Sequence, residues 1–166
     1  TMSRDEYLSC RRFSYLVGLF TNSVFDPLRR YCHEENVSYF KIIEFAFEKL
    51  EKENITKNKD DRSFENLYRG FSLEAEAELF PTIESMYEFY GAEKNYEKLI
   101  KGEIGDNLLR KYSAKALFES YFSLIDYTFE YAKNVFELEG LQDQESLHDL
   151  WKWLKNYYAL PEFFGE

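Results

Sequence analysis

Cysteine is scarce in this sequence, and apolar runs of membrane length are missing. The two cysteines, Cys10 and Cys32, could form at most one bridge, which excludes a disulfide-held scaffold. Two lone thiols are typical of a reducing compartment and predict a cytoplasmic chain. No apolar run reaches the ~18 residues that a membrane span needs, and Gly18 interrupts the longest notable stretch. We therefore expect a chain that neither crosses a membrane nor depends on disulfides.

Basic residues are outnumbered as well. The chain has 21 Lys and Arg against 31 Asp and Glu, which gives a net charge of -10. A protein that neutralises nucleic-acid phosphates needs a positive field, so this charge argues against a nucleic-acid partner. The same sign disfavours adsorption to an anionic membrane surface.

Aromatic side chains, in contrast, are abundant. Apolar residues make up 45% of the chain and aromatic residues 19%, including 16 Phe and 14 Tyr. A chain of 166 residues is long enough to bury a core without disulfides or metals. These proportions are typical of a globular protein, and we expect residues 1–166 to form a single helical domain.

Helical spacing of the apolar residues begins at the start of the chain. Ser3 followed by Glu6 predicts a capping box, which opens a helix running to about residue 22. The predicted apolar line of that helix is Cys10, Phe13, Val17, Phe20 and Val24. Asp26 as a cap and Pro27 in the first turn predict a short second helix, and a third begins near Ser38.

Polar residues and a proline interrupt the helical pattern in the middle of the chain. The polar run at 57–61 predicts a loop. Ser72 predicts the cap of a helix whose first turn is acidic, with Glu74, Glu76 and Glu78. Pro81 breaks that helix, and Thr82 caps its continuation to Gly91. A short helix is expected over 93–101.

The strongest periodic pattern lies between residues 117 and 138. One apolar line recurs at alternating steps of four and three, at Leu117, Tyr121, Leu124, Thr128, Tyr131, Val135 and Leu138. A second line follows one residue later, at Phe118, Phe122, Ile125, Phe129, Ala132 and Phe136. Together they form a stripe wider than contact with one helix needs, which predicts a central helix with partners on two sides.

A last helix is expected from Asp143 through Tyr158, with Pro161 ending it. No stretch alternates with period two for long enough to predict a strand. The sequence therefore predicts an all-α fold, an irregular bundle of about six to eight helices with a long central amphipathic helix.

Most signatures of catalysis are absent. There is no Gly-rich phosphate loop, no Gly-x-Ser-x-Gly elbow and no Cys-x-x-Cys pair. Cys32 and His33 are neighbours, and successive helical residues do not face each other, which favours a buried thiol beside an exposed imidazole. Glu145 and His148 match half of a di-iron motif, but a chain with two histidines lacks the other half. We assign no catalytic residue and no metal ligand.

The candidate binding residues are the two arginine pairs, Arg11, Arg12, Arg29 and Arg30. They could hold a carboxylate or phosphate of a ligand, although in an acidic chain bridges to glutamates explain them better. The glutamates of residues 74–78 resemble an acidic site, yet residues two apart on a helix point to opposite sides. The aromatic excess leaves open a pocket for a flat hydrophobic ligand, although rings at helical spacing more often form core.

The opening residues carry a resemblance to a known family. Residues 1–7 (TMSRDEY) and 11–13 (RRF), continued by 16–20 (LVGLF) and 25–28 (FDPL), resemble the segment after the catalytic barrel of cobalamin-binding radical S-adenosylmethionine proteins. In that family a capped helix with an acidic first turn and an Arg-aromatic pair follows the last barrel strand. The resemblance covers residues 1–28, and the remainder is similar only as an aromatic helical tail.

The resemblance implies that this chain is the carboxy-terminal helical domain of a longer protein. The start at Thr1 rather than Met agrees with a fragment. The parent would carry S-adenosylmethionine, a [4Fe–4S] cluster held by three closely spaced cysteines, and cobalamin. Cys10 and Cys32 do not match that spacing, so none of these cofactors is assigned to this fragment.

Three functional hypotheses follow from the sequence. The first is a non-catalytic accessory domain that shapes a substrate pocket or holds a partner, next to the preceding radical S-adenosylmethionine barrel of the same chain. The second is an independent acidic helical domain for protein interaction, with some aromatic surplus on its surface. The third is a helical bundle that binds a flat hydrophobic ligand.

Overall fold

The computed structural model describes residues 1–52 and 63–157. Within these ranges the chain forms nine α-helices and no strand, which confirms the predicted all-α class. The helices are α1 Arg4–Phe20, α2 Asp26–Glu34, α3 Tyr39–Lys52, α4 Phe64–Ala77, α5 Ile83–Gly91, α6 Glu93–Ile100, α7 Leu108–Phe118, α8 Tyr121–Leu138 and α9 Glu145–Tyr157. A short 3-10 turn, Ser23–Phe25, precedes α2. The predicted loop at 57–61 and the predicted stop at Tyr158 and Pro161 lie outside the described residues.

Several helices begin with the capping residues that the sequence predicts. The predicted capping box of α1 is present, because Ser3 Oγ accepts from Glu6 N at 3.2 Å and Glu6 Oε2 accepts from Ser3 N at 2.7 Å. Thr82 caps α5 as predicted, with its hydroxyl oxygen 3.1 Å from Ser85 N. Pro27 lies in the first turn of α2, but Asp26 is not the cap: Phe25 holds that position without a side-chain bond.

The predicted cap at Ser72 is wrong. Ser63 caps α4 by accepting from Asn66 N at 3.2 Å, and the helix then runs without a break through Ser72. Ser72 is buried and donates its hydroxyl hydrogen to the Tyr68 carbonyl, four residues back, at 2.8 Å. That bond satisfies the hydroxyl within the helix, so the serine does not have to begin one.

The long apolar pattern crosses a helix break that its periodicity does not reveal. α7 ends at Phe118 and α8 begins at Tyr121, with the amides of Glu119 and Ser120 both directed to the Lys115 carbonyl. Neither Gly nor Pro marks this break. α7 packs on α4, whereas α8 packs mainly on α3 and α9, so the break redirects the chain between two layers of the bundle.

α8 is the central helix, as predicted. It contacts α3, α9, α7 and α4. Its buried residues are Tyr121, Leu124, Ile125, Thr128, Phe129, Tyr131, Ala132, Val135 and Phe136. The buried hydroxyl of Thr128 is satisfied because it donates to the Leu124 carbonyl at 2.7 Å. Each large apolar side chain buried here contributes about 1.5–3 kcal/mol. Among the described helices α8 buries the most residues and so contributes most to the core.

The predicted face of α1 is rotated from the observed one. Of the predicted line, Phe20 is buried and Phe13 and Val17 pack partly buried against the core, but Cys10 is exposed. The buried face is instead centred on Leu8, Tyr15, Leu16 and Leu19. Tyr15 is fully buried. Its hydroxyl is satisfied by donating to the Tyr112 carbonyl at 3.1 Å, and its ring stacks on Phe71 with the centroids 4.6 Å apart. Within the described ranges no helix is long and apolar enough to cross a membrane.

Candidate interaction surfaces

The first arginine pair ties α1 to the rest of the bundle. Arg11 Nη1 lies 2.9 Å from Glu78 Oε2 at the end of α4. Arg12 makes two bonds to the Glu51 carboxylate, 2.7 Å from Nε and 3.0 Å from Nη2. Tyr68 donates its hydroxyl to the same carboxylate, which leaves a half-buried polar cluster between α1, α3 and α4. Both arginines therefore bridge to glutamates, the explanation that the sequence favoured.

The second arginine pair sits on α2 and is arranged differently. Arg29 pairs with Asp26 within the same helix turn. Arg30 is exposed, and among the described residues it forms no ion pair closer than 4 Å. The partners of Arg11, Arg12 and Arg29 thus lie on different elements, and the structure does not bring the two arginine pairs to one anion site.

Among the described residues, those considered for nucleophilic or metal chemistry do not form a common site. Cys32 is fully buried while His33 is exposed, and burial raises the pKa of the Cys32 thiol to about 12. Glu145 and His148 are exposed, and His148 stacks on Trp151 at 5.2 Å. In residues 1–52 and 63–157 no three His, Cys, Asp or Glu side chains are grouped so as to hold a metal ion.

The glutamates predicted for a first turn lie at the other end of a helix: Glu74 and Glu76 are in the last turn of α4, and Glu78 is its C-cap. Each has its own basic partner: Glu74 with Lys111, Glu76 with Arg4 and Glu78 with Arg11. Carboxylates at a helix carboxy terminus oppose the helix dipole, so these basic partners offset an unfavourable position.

Glu74 has the most developed environment of the three. Lys111 Nζ lies 3.1 and 3.0 Å from its two oxygens, and Tyr112 Oη donates to Oε1 at 2.6 Å. Burial opposes ionisation of this carboxyl, but the bonds from Tyr112 and Lys111 outweigh it and lower its pKa. The glutamate therefore joins α4 to α7 as an anion.

The hairpin formed by α5 and α6 has the most exposed apolar surface. Neither helix has a buried residue, and the two pack mainly on each other. Tyr87 is 70% exposed and Ile100 69%. The exposed large apolar side chains of the hairpin are Ile83, Tyr87, Phe89, Tyr96, Leu99 and Ile100. These exposed side chains make the hairpin a candidate interaction surface.

Aromatic rings join the base of the hairpin to the bundle. Phe80, in the loop before α5, contacts Phe89 at 5.2 Å and Tyr90 at 5.7 Å. Asn95 closes the hairpin turn by donating to the Phe89 carbonyl at 2.9 Å. Phe80 therefore anchors the carboxy-terminal end of α5 beside the end of α4.

Phe80 also lines a groove at the start of α1. This groove, of about 460 Å³, is formed by Met2, Ser3, Arg4, Tyr7, Leu79, Phe80 and Pro81, which we call the amino-terminal face. Met2 is 60% exposed and Tyr7 41%. Because Phe80 belongs to both surfaces, the amino-terminal face meets the base of the hairpin.

Sequence reasoning placed both hairpin helices but missed their exposure. The spacing offered no signal of it, because both helices have an ordinary amphipathic pattern in which the charged residues share one side and the large apolar residues the other. Whether such a helix is covered by its own bundle depends on neighbours far away in sequence.

No protein-family model matches this chain, and neither a curated protein nor a solved structure shows significant similarity to it. The geometry of its own surfaces is therefore the basis for a functional proposal.

Proposed function

We propose that this chain is a non-catalytic accessory domain that packs against a preceding radical S-adenosylmethionine barrel of the same polypeptide. The observation that carries the proposal is the exposed apolar hairpin, which meets the amino-terminal face at Phe80. The likeness of residues 1–28 to the segment after such a barrel supplies the identity of the partner.

The position of α1 supports this arrangement. Residues 1–7 are all exposed, and Arg4 pairs with Glu76 at 3.6 Å on the same side as the groove. A domain that precedes Thr1 would end beside the amino-terminal face. A covalent link raises the effective concentration of the two surfaces to about millimolar, so a modest apolar contact would hold them together.

The three-cysteine cluster site implied by the resemblance does not fit this chain, which has two cysteines. The exposed thiol of Cys10 is on α1 and the buried thiol of Cys32 is on α2, and the described residues offer no third ligand beside either. In this proposal S-adenosylmethionine, the iron–sulfur cluster and cobalamin belong to the parent chain outside residues 1–166. The two free thiols support a cytoplasmic location for the whole protein.

The parent chain is tested by expressing the complete reading frame that encodes this sequence. Iron content and the absorption spectrum are measured after cluster reconstitution. The proposal predicts iron–sulfur and cobalamin bands in the long form and none in residues 1–166. A reading frame that begins at Met2 would contradict it.

The docking surface is tested with the barrel and this domain produced as separate chains. Tyr87→Ser with Ile100→Ser removes two exposed apolar side chains and should weaken binding at least about tenfold in titration calorimetry. Leu138→Ser is the matched control, because Leu138 is 78% exposed on α8 and lies outside the hairpin. Equal affinity of the double-serine variant and the control would exclude the hairpin from the interface.

The same hairpin supports a second candidate, an independent domain that binds a protein in trans. If the reading frame holds no barrel, the apolar hairpin remains and still needs a partner to cover it. The reading frame therefore distinguishes the two candidates, and the hairpin is the proposed interaction surface in both.

A further inference from the structure

A second surface lies between α8 and α9, away from the hairpin. The two helices pack on each other and leave a groove of about 470 Å³ along their outer side. Its residues from α8 are Asp126, Phe129, Glu130 and Lys133, which recur at i, i+3, i+4 and i+7. This spacing lines up one face of a helix over two turns.

The floor of the groove is apolar and preformed. Phe129 and Leu147 are 6% and 3% exposed, and both line the groove from below. Trp151 forms one wall, where its Nε1 donates to Asp126 Oδ1 at 2.9 Å. Lys155 Nζ lies 2.8 Å from the same oxygen, so Asp126 fixes α9 against α8.

The apolar surface continues beyond the groove along α8. Phe122 lies one turn before Asp126 and is 51% exposed. From Phe122 to Lys133, α8 rises about 16 Å, or three helical turns. Phe122 therefore extends the open apolar surface of the groove along α8, and the whole surface is long enough for a short helix.

Charge at the rim restricts what can lie in this strip. On α8 the exposed carboxylates of Glu130 and Glu137 outnumber the exposed ammonium of Lys133. Asp126 is neutralised by Lys155, and on the α9 rim Lys152 offsets Glu145. A docking helix would therefore meet a negative rim on its α8 side, within a chain whose net charge is -10.

We propose that the α8–α9 groove binds a basic amphipathic helix of a partner protein. The helix would be about three turns long, with apolar residues at i, i+3 or i+4 and i+7 in the groove. Lys or Arg would follow its flank beside Glu130 and Glu137. This site uses residues separate from the hairpin and the amino-terminal face, so either proposal can fail without the other.

The test uses tryptophan fluorescence as a direct reporter. The chain has two tryptophans, and Trp153→Phe leaves Trp151 as the single one, in the wall of the groove. Trp153 is 50% exposed, so this change should leave the fold intact, which circular dichroism checks. Three synthetic helix-forming peptides are titrated: one with a leucine stripe and a lysine flank, the same with a glutamate flank, and a scrambled lysine peptide.

We expect a saturable shift of Trp151 emission with the lysine peptide. The glutamate peptide should bind at least about fivefold more weakly, because its carboxylates are repelled by the few carboxylates at the rim of the groove. Glu130→Lys with Glu137→Lys should reverse this preference. Glu93→Lys combined with Glu97→Lys on α6 is the control with the same charge change, and should leave the preference as it was.

Three results would overturn the proposal: no saturable shift with either leucine-stripe peptide up to about 1 mM, equal binding of the scrambled peptide, or an unchanged preference in the Glu130 and Glu137 variant. The dye 8-anilinonaphthalene-1-sulfonate is titrated in parallel. Saturable quenching of Trp151 by the dye alone would replace the docking helix with a small planar ligand.

Discussion

Tyr112 donates its hydroxyl to Glu74 at 2.6 Å, and this bond joins α7 to α4 beside the ion pair with Lys111. The Tyr112 carbonyl accepts in turn from Tyr15 at 3.1 Å, which brings α1 into the same contact. Three helices, α1, α4 and α7, thus meet around one tyrosine.

Glu74→Gln should lower the free energy of unfolding by about 1 kcal/mol at pH 7, since a charge-assisted bond is lost at a partly exposed site. Because the folded-state pKa of Glu74 lies below its ordinary value of 4.5, its ionised form contributes stability above about that pH. That contribution is lost as the pH falls through the folded-state pKa. The difference between wild type and variant in urea unfolding should therefore shrink from pH 6 to acid pH, and a constant difference would contradict the assignment.

Gly70→Ala should destabilise the protein although alanine is the better helix former. A Cβ at Gly70 would lie 2.9 Å from Tyr112 Oη and 3.1 Å from the ring, and the bond to Glu74 restrains that ring. The overpacking cost of about 1–3 kcal/mol exceeds the helix gain of up to about 1 kcal/mol. In a Tyr112→Phe background the same change should cost less, and a double-mutant cycle in urea measures this coupling. Additive effects would show that the hydroxyl does not obstruct the new methyl group.

The exposed apolar residues of the hairpin should contribute little to folding. Tyr87→Ser with Ile100→Ser should change the free energy of unfolding by no more than about 0.5 kcal/mol per site. Phe71→Ala, at a fully buried ring that stacks on Tyr15, should cost about 3–5 kcal/mol. A large loss from the serine changes would mean that the hairpin is covered by its own chain.

The two thiols should differ sharply in reactivity. With 5,5′-dithiobis(2-nitrobenzoate) at pH 8 the native protein should react at one thiol, the exposed Cys10. Cys32 is fully buried with a pKa of about 12, so it should react only after unfolding in urea. Cys10→Ser should abolish the native reaction, and any rapid labelling that persists in this variant would contradict the burial of Cys32.

Local chemistry predicted many features of the fold correctly. Ser3 with Glu6 and Thr82 after Pro81 begin helices as expected, because a cap depends on bonds that span three residues. Ser72 has the same side chain as a cap, but its hydroxyl found a partner in the preceding turn and the helix continued. Neighbouring residues alone do not distinguish these two outcomes.

The sequence by itself determined the all-α class and the central position of α8, because a wide apolar stripe at helical spacing has to be buried on several sides. Only the tertiary structure decided the break at Ser120, the face of α1 that is buried, and the exposure of the hairpin and of the α8–α9 groove. The physical reason is that periodicity shows which residues need a neighbour, whereas contacts between distant elements decide which of them the chain itself covers.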